Sequence, residues 1–178
     1  MIVWSIQTNT FYQADKKIGY IEGKEAGVFN EYLNKYHWMK TQMNKRIQTY
    51  NNVFPIWTWL KRPDLRKSGY MEKGTECILL EIEVDNNEIL ISGFEEWNTI
   101  LNNDYIFYDE VEEEMVMKGI KNLKKEDSWE RIFEYEKLRQ NSYWNGADLL
   151  QGTMGRVYID KIKSGHIVTV KQIGRAHV

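Results

Sequence analysis

Two tryptophans, Trp57 and Trp59, and two arginines, Arg62 and Arg66, crowd into the stretch FPIWTWLKRPDLR at residues 54–66. Indoles two residues apart on a strand fall on one face, because side chains alternate with period two. Both prolines of the chain, Pro55 and Pro63, lie here and fix the backbone where the aromatic strand meets the cationic turn. Guanidinium forks suit carboxylate or phosphate, and indole faces take flat rings or cations. The pattern fits a pocket for a planar, anionic ligand. It fits equally an aromatic core with a salt-bridged rim, in which Asp64 pairs with one arginine and caps the turn. On the functional reading the other arginine stays free for the ligand. Gln7, ending a first strand, and Gln151, beginning a late one, are the remaining candidates, since polar groups at strand ends converge on clefts. The expected site is therefore bounded by Gln7, the Trp57–Arg66 segment and Gln151.

Other chemistries find little support in the residues. His37 has no partner at metal-ligand spacing, and neither His-Glu-x-x-His nor paired cysteines occur, so no metal site is expected. No Gly-x-Ser-x-Gly elbow marks a nucleophile. Walker and Gly-x-Gly-x-x-Gly phosphate cradles are missing as well. The acidic run Glu110–Glu114 lacks the alternating oxygens and the glycine of a calcium loop, and reads as a solvated face.

The elements that must hold the candidate residues follow from periodicity. A strand is expected over Ile2–Gln7, with Val3, Ser5 and Gln7 opposing Ile2, Trp4 and Ile6. Thr8 or Asn9 then caps a helix running to Ile18 and ended by Gly19. Residues Ala26–Gln48 read as the longest helix, with Phe29, Leu33, Tyr36, Met43 and Ile47 in one apolar stripe. Strands are expected at Phe54–Leu60, Thr75–Val84 and Ile89–Ser92, followed by a helix from Gly93 to Leu101. Asp109–Asp127 reads as a charged, solvated and partly helical insertion. Trp129, Ile132, Phe133 and Leu138 resume helical spacing, and strands near Leu150–Ile159 and Ile167–Val170 close the chain. Lys67-Ser68-Gly69 reads as loop. Irregularly placed helices among clustered strands favour a single α+β domain over residues 1–172, built on a mixed, mostly antiparallel sheet.

Composition bounds the function classes. A chain of 178 residues can bury a real core, and a net charge of −2 gives no global pull toward nucleic acid or anionic membrane. The single Cys77 excludes a disulfide framework and fits a reducing compartment, so a cytoplasmic location is expected. Residues 173–178, IGRAHV, match the translation of a sequencing-adapter oligonucleotide and are set apart from the fold.

Trp4-Ser5-Ile6-Gln7, Pro55–Trp59, Arg62–Arg66, Leu101-Asn102-Asn103, Ser128–Phe133 and Gln151-Gly152-Thr153 together resemble a bacterial and phage family of unknown function, over nearly the whole chain. A second resemblance is to ADP-ribosyltransferase domains. Those begin with a strand and a helix ending in Gly, as residues 2–19 do. Their second motif is an aromatic or hydroxyl-bearing strand followed by an arginine turn, and their catalytic glutamate opens a late strand. That resemblance implies an ADP-ribosyltransferase-like sheet, NAD as the cofactor-type ligand, and a toxin or phage-defence role. It implies that Trp57, Thr58 and Trp59 line the nicotinamide pocket, that Arg62 or Arg66 holds the pyrophosphate, and that Gln151 stands at the catalytic position. The first strand offers Trp4, Ser5 and Gln7 where Arg or His is expected. A glutamine cannot act as the carboxylate that steadies an oxocarbenium-like transition state, though it can orient a ribose hydroxyl. Asp148 and Asp160 are other carboxylates that could take that part. Three readings stand open: an NAD-using transferase, a nucleotide- or nucleic-acid-binding module without catalysis, and a protein-interaction domain.

Overall fold

The computed structural model describes residues 1–66, 71–144 and 149–169. The first strand, β1 (Ile2–Thr8), passes directly into helix α1 (Asn9–Ile18). Gly19 ends that helix in the left-handed conformation, at φ 90°. A short strand β2 (Tyr20–Ile21) and two single 3-10 turns lead to helix α2 (Leu33–Arg46). Strands β3 (Ile56–Trp59), β4 (Glu76–Glu83) and β5 (Ile89–Gly93) follow. Then come helices α3 (Phe94–Leu101), α4 (Glu110–Met117), α5 (Lys125–Trp129) and α6 (Tyr135–Leu138). Strands β6 (Leu150–Met154), β7 (Val157–Tyr158) and β8 (Ile162–Thr169) complete the described chain.

Six strands form one sheet in the order β5-β6-β3-β1-β4-β8, and each neighbouring pair is antiparallel. Strands β2 and β7 pair separately. The fold is therefore mixed α+β on an antiparallel sheet, as the sequence pattern indicates.

Both faces of the sheet are covered, and alternation explains how one strand serves two cores. Val3, Ile56, Ile78, Leu80, Ile82 and Met154 pack with Tyr12 of α1 and Ile21 of β2. On the other face, Leu90 packs with Met39 and Met43 of α2, Trp97 and Ile100 of α3, and Trp129, Ile132 and Leu138. Trp57 packs against this second cluster.

Three expectations are corrected. The helix expected over 26–48 begins only at Leu33, and Phe29 is 75% exposed rather than part of an apolar stripe. Gly27 and Asn30 are weak helix formers, and Phe29 is extended at ψ 137°. The strand expected over Leu150–Ile159 is two strands, β6 and β7, in different sheets. The charged segment 109–127 is less solvated than its composition suggests, because Glu112 is buried and bonded to Arg131, Lys121 and the Tyr108 backbone. Residues 173–178 and Lys67-Ser68-Gly69 lie outside the described residues.

Candidate functional site

The first and third strands part company soon after they meet. Their register is a single pair, Trp4 opposite Trp59, whereas β1 follows β4 from Ile2 to Thr8. Ser5, fully buried on β1, donates its hydroxyl to the Trp57 carbonyl at 2.9 Å across the widening gap. A cavity of about 530 Å³ lies there, lined by Ile6, Gln7 and Thr8 on one side and Phe54, Pro55, Ile56 and Trp57 on the other. Helix α1 supplies Phe11, Tyr12 and Asp15, and the strap between β2 and α2 supplies Glu22, Gly23, Lys24, Ala26, Gly27 and Val28. That volume falls within the range of small-molecule sites.

Glycine makes the strap possible. Gly23 forms an isolated bridge with Phe54, and a Cβ there would lie 2.6 Å from the carbonyl oxygens of Phe54 and Pro55. No larger residue lets the two backbones approach so closely. Lys24 follows at once and donates to Asp15 at 2.7 Å. Its ammonium also stands over the Phe11 ring, 5.9 Å from the centroid. Glu22 accepts from Arg156 at 2.9 Å.

The aromatic wall is a connected group of rings. Tyr36 stacks on Phe54 and meets Trp57 edge-on at 6.0 Å, while Trp57 leans on Trp97 at 4.9 Å. Burial pushes the Tyr36 hydroxyl above its ordinary pKa, and the facing Trp57 indole offsets this only in part. The Thr8 hydroxyl, on a lining residue, is buried without a hydrogen-bond partner in the protein, whereas the Trp57 indole N–H is directed at the Tyr36 hydroxyl.

The residues singled out from sequence divide between the cavity and its surroundings. Gln7 and Trp57 line it. Gln7 also donates to the Ser5 hydroxyl at 2.8 Å. Thr58 is 1% exposed and donates to the Gly152 carbonyl at 3.1 Å. Trp59 packs against Phe94 at 5.2 Å, outside the lining. Gln151 is 4% exposed and sits opposite Trp59 in β3 and Ser92 in β5. Paired residues share a face, so Gln151 lies on the face of Trp59 and Trp4, and Gln7 on the opposite one. Gln151 and Ser92 each carry a buried side-chain atom without a partner, apart from the cavity. Arg66 is exposed and forks onto Asp64 at 2.8 and 2.9 Å, which also holds its pKa up. Arg62 is exposed, and neither arginine lines the cavity. Asp148 lies outside the described residues.

Sequence reasoning passed over Phe54's neighbour Tyr36, and Asp15, Lys24 and Thr8. Thr8 reads as a helix cap, yet its side chain makes no capping bond. Asp15 and Lys24 sit on elements with no shared pattern, and only the Gly23 bridge brings the strap to the sheet.

Among the described residues no group of three or more His, Cys, Asp or Glu is placed to hold a metal ion, and no helix is long and apolar enough to cross a membrane. No curated protein and no solved structure matched the chain. The model of a family described as a domain of unknown function, DUF3841, matches residues 2–163, and the chain belongs to that family.

Proposed function

We propose that this domain binds an NAD-type nucleotide, with the nicotinamide end in the cleft between β1 and β3. The observation that carries the reading is the cavity itself, where the rings of Tyr12, Tyr36, Phe54 and Trp57 line the same space as the Gln7 amide and the Lys24 ammonium. A flat ring can pack on those aromatic side chains, and a carboxamide can exchange hydrogen bonds with the Gln7 amide. The reading also draws on the ADP-ribosyltransferase resemblance; the strands bearing Gln7, Trp57 and Gln151 are neighbours in the sheet, in the order β6-β3-β1, although Gln151 lies on the face opposite Gln7.

The reading stops at binding. Glycosyl transfer breaks the bond between the ribose C1′ and the ring nitrogen, and nicotinamide leaves with the electron pair. The positive charge left on the ribose needs a carboxylate beside it. Gln151 carries none and lies outside the cleft lining, and the two carboxylates of the wall, Asp15 and Glu22, are each engaged by a cation. The domain thus holds the dinucleotide without consuming it. Trp57 and Trp59 pack against Trp97 and Phe94, which leaves them poorly offered to the bases of a nucleic acid.

Calorimetric titration with NAD, followed by mass spectrometry of the mixture for free nicotinamide, tests both halves. Saturable heat with nicotinamide at the level of a protein-free control is the expected result. No heat at millimolar NAD overturns the binding reading. Steady nicotinamide release overturns the non-catalytic half and directs attention to Asp15.

A further inference from the structure

We propose that Lys24, and not the arginine turn, is the group that holds a phosphate of the ligand at the cleft; this rests on the nucleotide reading of the same site. Lys24 is the one lysine or arginine among the described residues lining the cavity. The turn long enough to be suspected from sequence is elsewhere: Arg62 and Arg66 are absent from the lining, and Arg66 is occupied by Asp64.

The geometry around Lys24 is that of a pre-oriented cation. Its backbone is fixed on one side by the bridge from Gly23 to Phe54, and on the other by the turn in which Gly27 donates to the Lys24 carbonyl at 3.0 Å. Its ammonium is anchored by Asp15, whose side chain is 6% exposed, while the Lys24 side chain is 48% exposed. An ammonium has three donors, and Asp15 accepts one. The side chain is half exposed, and Asp15 is the one acceptor it meets among the described residues. A phosphate can therefore join Lys24 without displacing Asp15, and the buried carboxylate is never left unpaired. Glu22, the other carboxylate of the wall, is held by Arg156, so neither wall carboxylate stands unpaired against an anion at Lys24.

The test compares NAD with nicotinamide riboside, which carries the same ring and sugar but no phosphate, on wild type, Lys24→Gln, Lys24→Arg and Arg62→Ala. Lys24→Gln is expected to weaken NAD about tenfold, the scale of one charge-assisted hydrogen bond, and to leave the riboside unchanged. Lys24→Arg should restore most of the NAD affinity, and Arg62→Ala should change neither ligand. Equal loss of both ligands in Lys24→Gln assigns Lys24 to wall structure and overturns the proposal, as does full NAD affinity in that variant. If wild type binds the riboside but NAD no more tightly, the cleft reading survives and the phosphate site falls. If wild type binds neither, both fall.

Discussion

Two buried carboxylates, Glu112 in the helical layer and Asp15 in the cleft wall, are each 6% exposed and each face cations, yet they are satisfied in different ways. Glu112 accepts from both arms of Arg131 at 2.6 and 3.0 Å, from Lys121 at 2.6 Å and from the Tyr108 backbone at 2.8 Å. Arg131 is itself enclosed at 13% exposure, donating to the Ile106 carbonyl and lying 3.9 Å over the Tyr108 ring. Lys121 is half exposed, but the enclosed Arg131 and the Tyr108 backbone already satisfy the Glu112 carboxylate. Asp15 has Lys24 as its one side-chain hydrogen-bond partner among the described residues, and that cation remains half open to solvent. A saturated pair welds elements together; a one-sided pair orients a charge and leaves it available.

Breaking each pair separates the two roles. Arg131→Ala leaves Glu112 buried without its main partner and is expected to cost about 3–5 kcal/mol, read from urea denaturation. Asp15→Asn removes an anchor whose cation can turn to water, and should cost about 1 kcal/mol while changing nucleotide affinity. A cost for Asp15→Asn as large as that for Arg131→Ala would erase the distinction.

Acid sharpens the same contrast. Burial raises the Glu112 pKa, but the bonds from Arg131, Lys121 and Tyr108 outweigh it and hold the carboxyl down, from 4.5 to about 2. A depressed carboxyl pKa stabilises the fold above the unfolded value. Its contribution, about 3 kcal/mol, is complete above pH 4.5 and drains away as pH falls toward 2. Urea midpoints measured across that window should drop in wild type and much less in Glu112→Gln. Parallel slopes for the two proteins would contradict the assignment.

Smaller effects are expected at the cleft rim. In Gly23→Ala the new methyl meets the carbonyl oxygens of Phe54 and Pro55 at 2.6 Å, so the strap must lift. The expected loss is about 1–3 kcal/mol with weaker nucleotide binding, checked by thermal denaturation with and without NAD. At the turn, Arg66→Ala removes a solvent-exposed partner of Asp64 and should leave both the melting temperature and NAD affinity where they were. A drop in NAD affinity there would return the arginine turn to the site.

Much of this architecture is legible in the chain because local signals agree with it. The alternation in Val3, Ser5 and Gln7, the glycine after Ile18 and the shared face of Ile78, Leu80 and Ile82 each specify an element that the structure contains. The long-helix expectation erred at residues 26–32, where an apolar spacing coincides with residues that resist helix, and where the exposed Phe29 belongs to a strap. The site was legible in one half only. Alternation puts Trp57 and Trp59 on one face, but it says nothing of where β1 and β3 separate, and that separation decides which indole meets a cavity. It is also blind to register: only the pairing of Gln151 with Trp59, and of Trp59 with Trp4, reveals that Gln7 and Gln151 point to opposite faces. Lys24 and Asp15 meet through tertiary contact alone.

The most direct trial of the cleft is to fill it. Val28 lines the cavity from the strap, and Val28→Trp places an indole in the space assigned to the ligand. Tryptophan fluorescence of wild type titrated with NAD should change saturably, and the filled variant, with circular dichroism and melting temperature intact, should show no change. Equal saturable binding in both proteins would contradict the claim that the ligand sits between β1 and β3.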